Sequence, residues 1–192
     1  MNTKILTGFI VAICLGLPFT AQADNAGGGK RLVLNLLGTG PMYESTVPDI
    51  DGDFIDDDAL CFDVDVGVIN GKNRQIIGTA TDCLSNIEAA GGALMGLKLI
   101  GTTFFNLPNG TLITRGKTTV QPVLQPTITP AGNMITHATA AAGAGNAIIG
   151  GTGRFAGVTG TVRLGGLVDL SNFTGQAGTP IFFDCLFIVD LD

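Results

Sequence analysis

At 192 residues, with 45% apolar and only 14% charged side chains, the chain is long enough for one domain with a substantial core and offers no boundary between two. Its 29 glycines and 8 prolines break it into short runs, a pattern of many strands and tight turns that argues against long helices. Sixteen acidic against ten basic residues make a phosphate backbone or an anionic lipid surface an unfavourable partner, so nucleic acid is not expected to bind.

From the N-terminus, Lys4 precedes an apolar run from Ile5 to Leu17, which is closed by Pro18 and by Ala21-Gln22-Ala23 as a small-x-small site. This reads as a secretory signal peptide over residues 1–23, cleaved before Asp24, and it predicts a secreted or periplasmic protein. A membrane anchor needs about 20 continuous apolar residues, and Pro18, Thr20 and Gln22 end the run early. Cys14 follows Ile13, where a lipoprotein site requires a small residue, so lipidation is not expected. Residues 24–30 have the composition of a flexible mature N-terminus, leaving 31–192 as the folded domain. No later segment is long and apolar enough to span a bilayer, and no membrane contact is expected once the leader is gone.

Arg31 to Leu37 predicts a first strand, closed by Gly38-Thr39-Gly40-Pro41, and Met42 to Asp58 reads as a loop. Cys61 to Ile69 alternates, with Phe62, Val64, Val66 and Val68 on one face and Cys61, Asp63 and Asp65 on the other. Gln75 to Thr81 returns as its hairpin partner after the turn Asn70-Gly71-Lys72-Asn73. Ser85 to Gly92 forms one helical turn or a loop. Further strands are expected over 94–105, 111–120, 134–140, 147–149, 161–170 and 180–191. Such even spacing fits either a closed antiparallel barrel, which has no unpaired edge, or a β-sandwich.

Export brings an oxidising environment, so Cys61, Cys83 and Cys185 are disulfide candidates before they are metal ligands or nucleophiles. Cys61 and Cys83 sit almost symmetrically about the Asn70–Asn73 turn and form the favoured bridge. A Cys83–Cys185 bridge is the rival; otherwise Cys185 is a buried thiol in an apolar strand.

Two blocks carry a resemblance. The first, Gly145 to Leu170, contains Gly150-Gly151-Thr152-Gly153-Arg154-Phe155 between two strands; the second is Thr103 to Lys117, a hydrophobic strand that turns at Pro108-Asn109-Gly110 and re-enters as Gly110-Thr111-Leu112. Together they resemble the allene oxide cyclase and dirigent barrel superfamily, with its GGTG(R/K)F corner and its G-(S/T)-L-x-x-x-G hairpin, while residues 31–60 show little of that pattern. The resemblance implies an all-β, closed eight-stranded antiparallel barrel that associates as a dimer or trimer. It also implies a small hydrophobic or aromatic ligand in the barrel mouth. The corner itself is no phosphate cradle, because no lysine follows at the Walker spacing and no long helix opens after it. No organic cofactor is expected.

The candidate site residues come from the residues themselves. Asp49, Asp51, Asp53, Asp56, Asp57 and Asp58, with Gly52 allowing a tight reversal, suit a Ca²⁺ loop like those of thrombospondin type 3 repeats. The alternative is a solvated acidic loop. His137, the single histidine, is a candidate general acid or base if its strand turns it inward; otherwise it caps a strand hydrogen bond or faces solvent. Asp184 interrupts an apolar run and is either buried and paired or directed into a pocket. Asp63, Asp65, Arg115 and Arg163 are candidate ligand-binding side chains on strands whose inward face the sequence leaves open. The resemblance implies a cyclase- or isomerase-like enzyme, or, as a relative recruited to another chemistry, a redox demethylase of aromatic metabolites, or a non-catalytic dirigent-like carrier; a purely structural exported protein stands beside them.

Overall fold

The computed structural model describes residues 29–91 and 96–192. The expected signal peptide and nearly all of the expected flexible N-terminus lie outside the described residues. Ten strands make one antiparallel sheet: β1 Lys30–Pro41, β2 Tyr43–Val47, β3 Asp57–Asn70, β4 Asn73–Ala90, β5 Gly96–Leu107, β6 Gly110–Ile128, β7 Met134–Ala141, β8 Ala147–Gly151, β9 Gly160–Asp169 and β10 Pro180–Leu191. The only helical element among the described residues is a 3-10 turn at Gly153–Phe155.

The sheet closes in a ring. Its order runs β1-β10-β9-β7-β6-β5-β4-β3, and β1 returns to β3 through Asn35↔Gly67, Leu36↔Val66 and Leu37↔Asp65. Strand β8 takes up where β7 stops, pairing with the same two neighbours, β6 and β9, further along. Closure satisfies backbone groups that an open edge would leave unpaired.

Alternation fills the interior. Leu60, Phe62, Val64 and Val66 of β3 face Ile181, Phe183, Cys185, Phe187 and Val189 of β10 across the core. Phe62 meets Phe183 edge-on at 5.2 Å between centroids, and Phe105 meets Phe187 at 5.3 Å. A smaller cluster of Val47, Ala59, Cys61 and Cys83, with Ile50 and Phe104 against it, sits on the outer face beneath the acidic loop.

Two local expectations are corrected. Residues 42–58 are not one loop: Tyr43–Val47 pairs with Asp57–Cys61, because Tyr-Glu-Ser-Thr-Val is strand-prone and buries Val47 on the outer cluster. Nor is 85–90 a helical turn; β4 continues through a bulge between Ser85 and Glu88, where Asn86 takes φ 50° and absorbs the extra residues.

The glycine corner is a docking element. Thr152 N donates to Thr111 O at 2.8 Å and Arg154 N to Asn109 O at 2.9 Å, seating the corner on the β5–β6 hairpin turn. Gly153 has φ 56°, and a Cβ there would lie 2.3 Å from Asn109 O, so only glycine fits. Phe155 is buried in the core with the Arg154 guanidinium 4.6 Å over its ring. The two sequence blocks thus meet in space and seat Phe155 in the core.

Candidate functional site

Strand parity builds the site. Cys61 and Cys83 are directly opposed and disulfide-bonded on the outer face, so Asp82 turns inward with Ala80 and Leu84. Asp82 pairs across to Thr103, and Thr103 to Thr114, laying a polar row over three strands of an apolar wall. Beside that row Gly101 opposes Gly116; the Asn146 carboxamide fills the place of a Gly116 side chain, its Cγ 3.0 Å from where that Cβ would lie, and Gly101 leaves the more open side. The resulting cavity of about 40 Å³ is faced on the other side by Val168, Phe183 and Phe187. Half-buried Leu97, Leu170 and Phe173 line it toward the end opposite the glycine corner.

The dimensions restrict what can enter. A water needs on the order of 10–15 Å³ of such space and drug-sized ligands occupy about 300–1,000 Å³. An entering molecule must be slender, or must displace Leu97, Leu170 and Phe173.

Asp82 gives the cavity its chemistry. It is 4% exposed, and Thr103 Oγ1 donates to its Oδ1 at 2.6 Å. Burial pushes its carboxyl up to about 7, and the Thr103 bond only partly offsets this. Cys185 lies on the same inward face as a free thiol; burial, reinforced by Asp82 and Asp184, raises it well above its ordinary value. The rival Cys83–Cys185 bridge is not formed, since the two sulfurs occupy opposite faces of the sheet.

The residues singled out from the sequence are distributed elsewhere. His137 shares strand parity with buried Ile135 and Thr139 but does not line the cavity; its Nδ1 lies 2.9 Å from Thr136 Oγ1, which also donates to Asp169. Partial burial lowers the imidazole's pKa, and Asp169 opposes that. Asp184 is on the outer face, where Asn35 Nδ2 donates to it at 3.0 Å and Arg74 holds Asn35 from the other side. Asp63 accepts from Tyr43 and Thr81, while the Asp65 carbonyl accepts from Arg74. Arg115 ties the acidic loop to the sheet by donating to the carbonyls of Pro48 and Asp49 and to Thr102. Of the set, Arg163 alone borders the cavity, and its guanidinium turns away to Asp190 at 3.4 Å.

The acidic loop divides. Asp49, Asp51 and Asp57 each bring one oxygen within 4.8 Å of the others, whereas Asp53, Asp56 and Asp58 are not part of that group. Two oxygens bound to one Ca²⁺ at about 2.4 Å lie no more than about 4.8 Å apart, so the triad matches the span, supplying three of six to eight ligands. The same carboxylates already hold the loop: Asp49 accepts from Gly52 and Phe54, Asp51 from Asp53, and Asp57 from Ile50. The Gly52 and Phe54 N–H groups keep the Asp49 carboxyl below its ordinary range. Arg115 already brings positive charge to Asp57 and Asp49 and would compete with a cation.

Sequence reasoning missed Asp82. The signal was present, since a Cys61–Cys83 bridge puts Cys83 on the outer face and forces its neighbour onto the face of Phe62. The chain matches no protein-family model, and no curated protein matches it.

Proposed function

We propose that this chain is an exported eight-stranded barrel, similar to the allene oxide cyclase and dirigent barrels, that binds a small, slender apolar molecule inside its ring. The eight-strand count is supported by taking the successive strands β7 and β8 as one position between β6 and β9. Export is supported by the Cys61–Cys83 disulfide, which is compatible with an oxidising compartment. The observation that carries the binding reading is the internal cavity, apolar on one wall and bearing a single buried carboxyl, Asp82, on the other.

A cyclase- or isomerase-like step in this chamber would draw its proton from Asp82; the same chamber without turnover makes a dirigent-like carrier. Gly101→Ala separates these readings from a purely structural one. Its Cβ would press on Thr118 Oγ1, at 3.3 Å, and otherwise make only ordinary contacts with Gly116 O and Leu99 Cδ1, so the fold survives while the cavity shrinks. Displacement of an apolar fluorescent probe by small ketones and alkenes should be about tenfold weaker in the variant, as expected for lost cavity contacts. Equal displacement, or none in the unmodified protein, leaves the structural reading.

The acidic loop is assigned a Ca²⁺ held by Asp49, Asp51 and Asp57, pinning the loop over the disulfide cluster. Calorimetry should give heat on adding Ca²⁺ to the unmodified protein and little to Asp51→Asn. No heat in the unmodified protein removes the ion.

A further inference from the structure

A second cleft lies at the glycine-corner end of the ring, where Arg154 and Phe155 meet the first residues of β1 and the last of β10. Even-numbered residues of β1 turn inward, as buried Leu34 and Leu36 do, so Lys30 and Leu32 carry the core face to its end. Leu191, paired with Lys30, extends the face of Val189 on β10 in the same way. Leu32, Val158 and Leu191 are half-buried, pack on the core that holds Phe155, and form an apolar floor. The cleft measures about 450 Å³, against about 40 Å³ for the interior cavity, and the two share no lining residue. Small-molecule sites occupy about 300–1,000 Å³, so this cleft admits a ligand without displacing a side chain.

In an acidic chain the rim of this cleft is basic. Lys30 and Arg154 both border it, and neither makes an ion pair among the described residues, whereas Arg31 and Arg163 are both engaged by Asp190. Asp192 borders it too, but its carboxylate accepts from Thr159 Oγ1 at 2.8 Å and its backbone N donates to Thr159 O at 3.1 Å. The Arg154 guanidinium lies over the Phe155 ring, its Cζ 4.6 Å from the centroid. Stacking uses the face of a guanidinium and leaves its in-plane N–H groups free, and that fork matches the two oxygens of a carboxylate.

We propose that this cleft binds an apolar monocarboxylate, with the head held by Arg154 and Lys30 and the hydrocarbon body laid on Leu32, Val158 and Leu191. The site is separate from the interior cavity and does not depend on it. Two exposed cations alone hold a bare anion weakly, because water and salt screen them. The apolar floor supplies the remaining affinity by covering hydrocarbon, so the ligand has to carry both parts. An alcohol of equal length offers the same body and leaves the guanidinium fork unmatched.

The test compares octanoate with 1-octanol, each titrated into the full-length mature protein at neutral pH and followed by methyl ¹³C–¹H NMR. Octanoate should shift Leu32, Val158 and Leu191 saturably and bind about tenfold more tightly than 1-octanol, the scale of a hydrogen bond to a charged group. Lys30→Gln and Arg154→Gln each remove one charge and keep a polar side chain; each should reduce the preference severalfold while the affinity for 1-octanol holds. Lys30 is exposed at the end of its strand, so its variant decides the matter even if Arg154→Gln does not fold. Equal binding of the two molecules, no saturable shift with octanoate, an unchanged preference in Lys30→Gln, or octanoate shifts confined to Leu99, Leu164 and Val168 of the interior would each overturn the inference. Each of those results leaves the interior reading to its own test.

Discussion

Asp82 carries a pH signature that belongs to one side chain. Its folded-state carboxyl titrates near 7 because burial penalises the charged form, whereas in the unfolded chain an aspartate titrates near 3.9. The folded state therefore holds the proton more tightly. Its contribution to stability is fully present in acid, is lost as pH rises from about 4 to about 7, and is level above that, amounting to about 4 kcal/mol. Asp49 and Asp190 act in the other direction, since their carboxyls are held low by backbone N–H groups and by Arg31, and they lose stability only below their ordinary range. Asp82→Asn should flatten the pH 4–7 slope in denaturant titrations and be more stable than the unmodified protein at pH 8. An unchanged slope would mean that the carboxyl is hydrated and titrates normally.

Among the elements, the glycine corner and its hairpin were legible from sequence because their constraint is local. Gly153, Arg154 and Phe155 announce a positive φ and a buried aromatic within three residues. Two alanine substitutions separate backbone strain from close approach. Gly157 also has positive φ, at 72°, but a Cβ there meets nothing within 4 Å, so Gly157→Ala should cost about 1 kcal/mol of left-handed strain. Gly153→Ala adds a collision with Asn109 O and should cost at least about 2 kcal/mol more, lowering the melting temperature by several further degrees. Equal losses would show that the corner does not press on the hairpin. Where the sequence reading failed, the determining contact was remote. Tyr43–Val47 reads as loop until β3 supplies its partner, and the 85–90 segment reads as irregular until β5 pairs with it across a bulge. His137 and Asp184 attracted attention as lone polar residues in strands. Asn35, which occupies Asp184, comes from a distant part of the chain; His137 is met by its own neighbour Thr136, but the Asp169 that Thr136 in turn donates to lies on another strand, and no local pattern announces either remote partner.

At the scale of the whole molecule, alternation specifies that each strand has two faces, and ring closure decides which face is inside. Composition and spacing were enough for an all-β antiparallel sheet; the return of β1 to β3, which makes an interior, depends on residues roughly thirty apart in sequence. That closure turns Asp82, Thr103 and Thr114 into a wall and leaves Asp63, Asp65 and Asp184 outside. The central claim is that small apolar molecules enter this interior and do not bind on the outer face. Methyl ¹³C–¹H NMR during a 2-heptanone titration tests it most directly. Shifts should concentrate on Leu99, Leu164 and Val168, which line the cavity, and spare the exposed Val33 and Ile76. Shifts confined to Val33 and Ile76, or no saturable shift at any methyl, would contradict it.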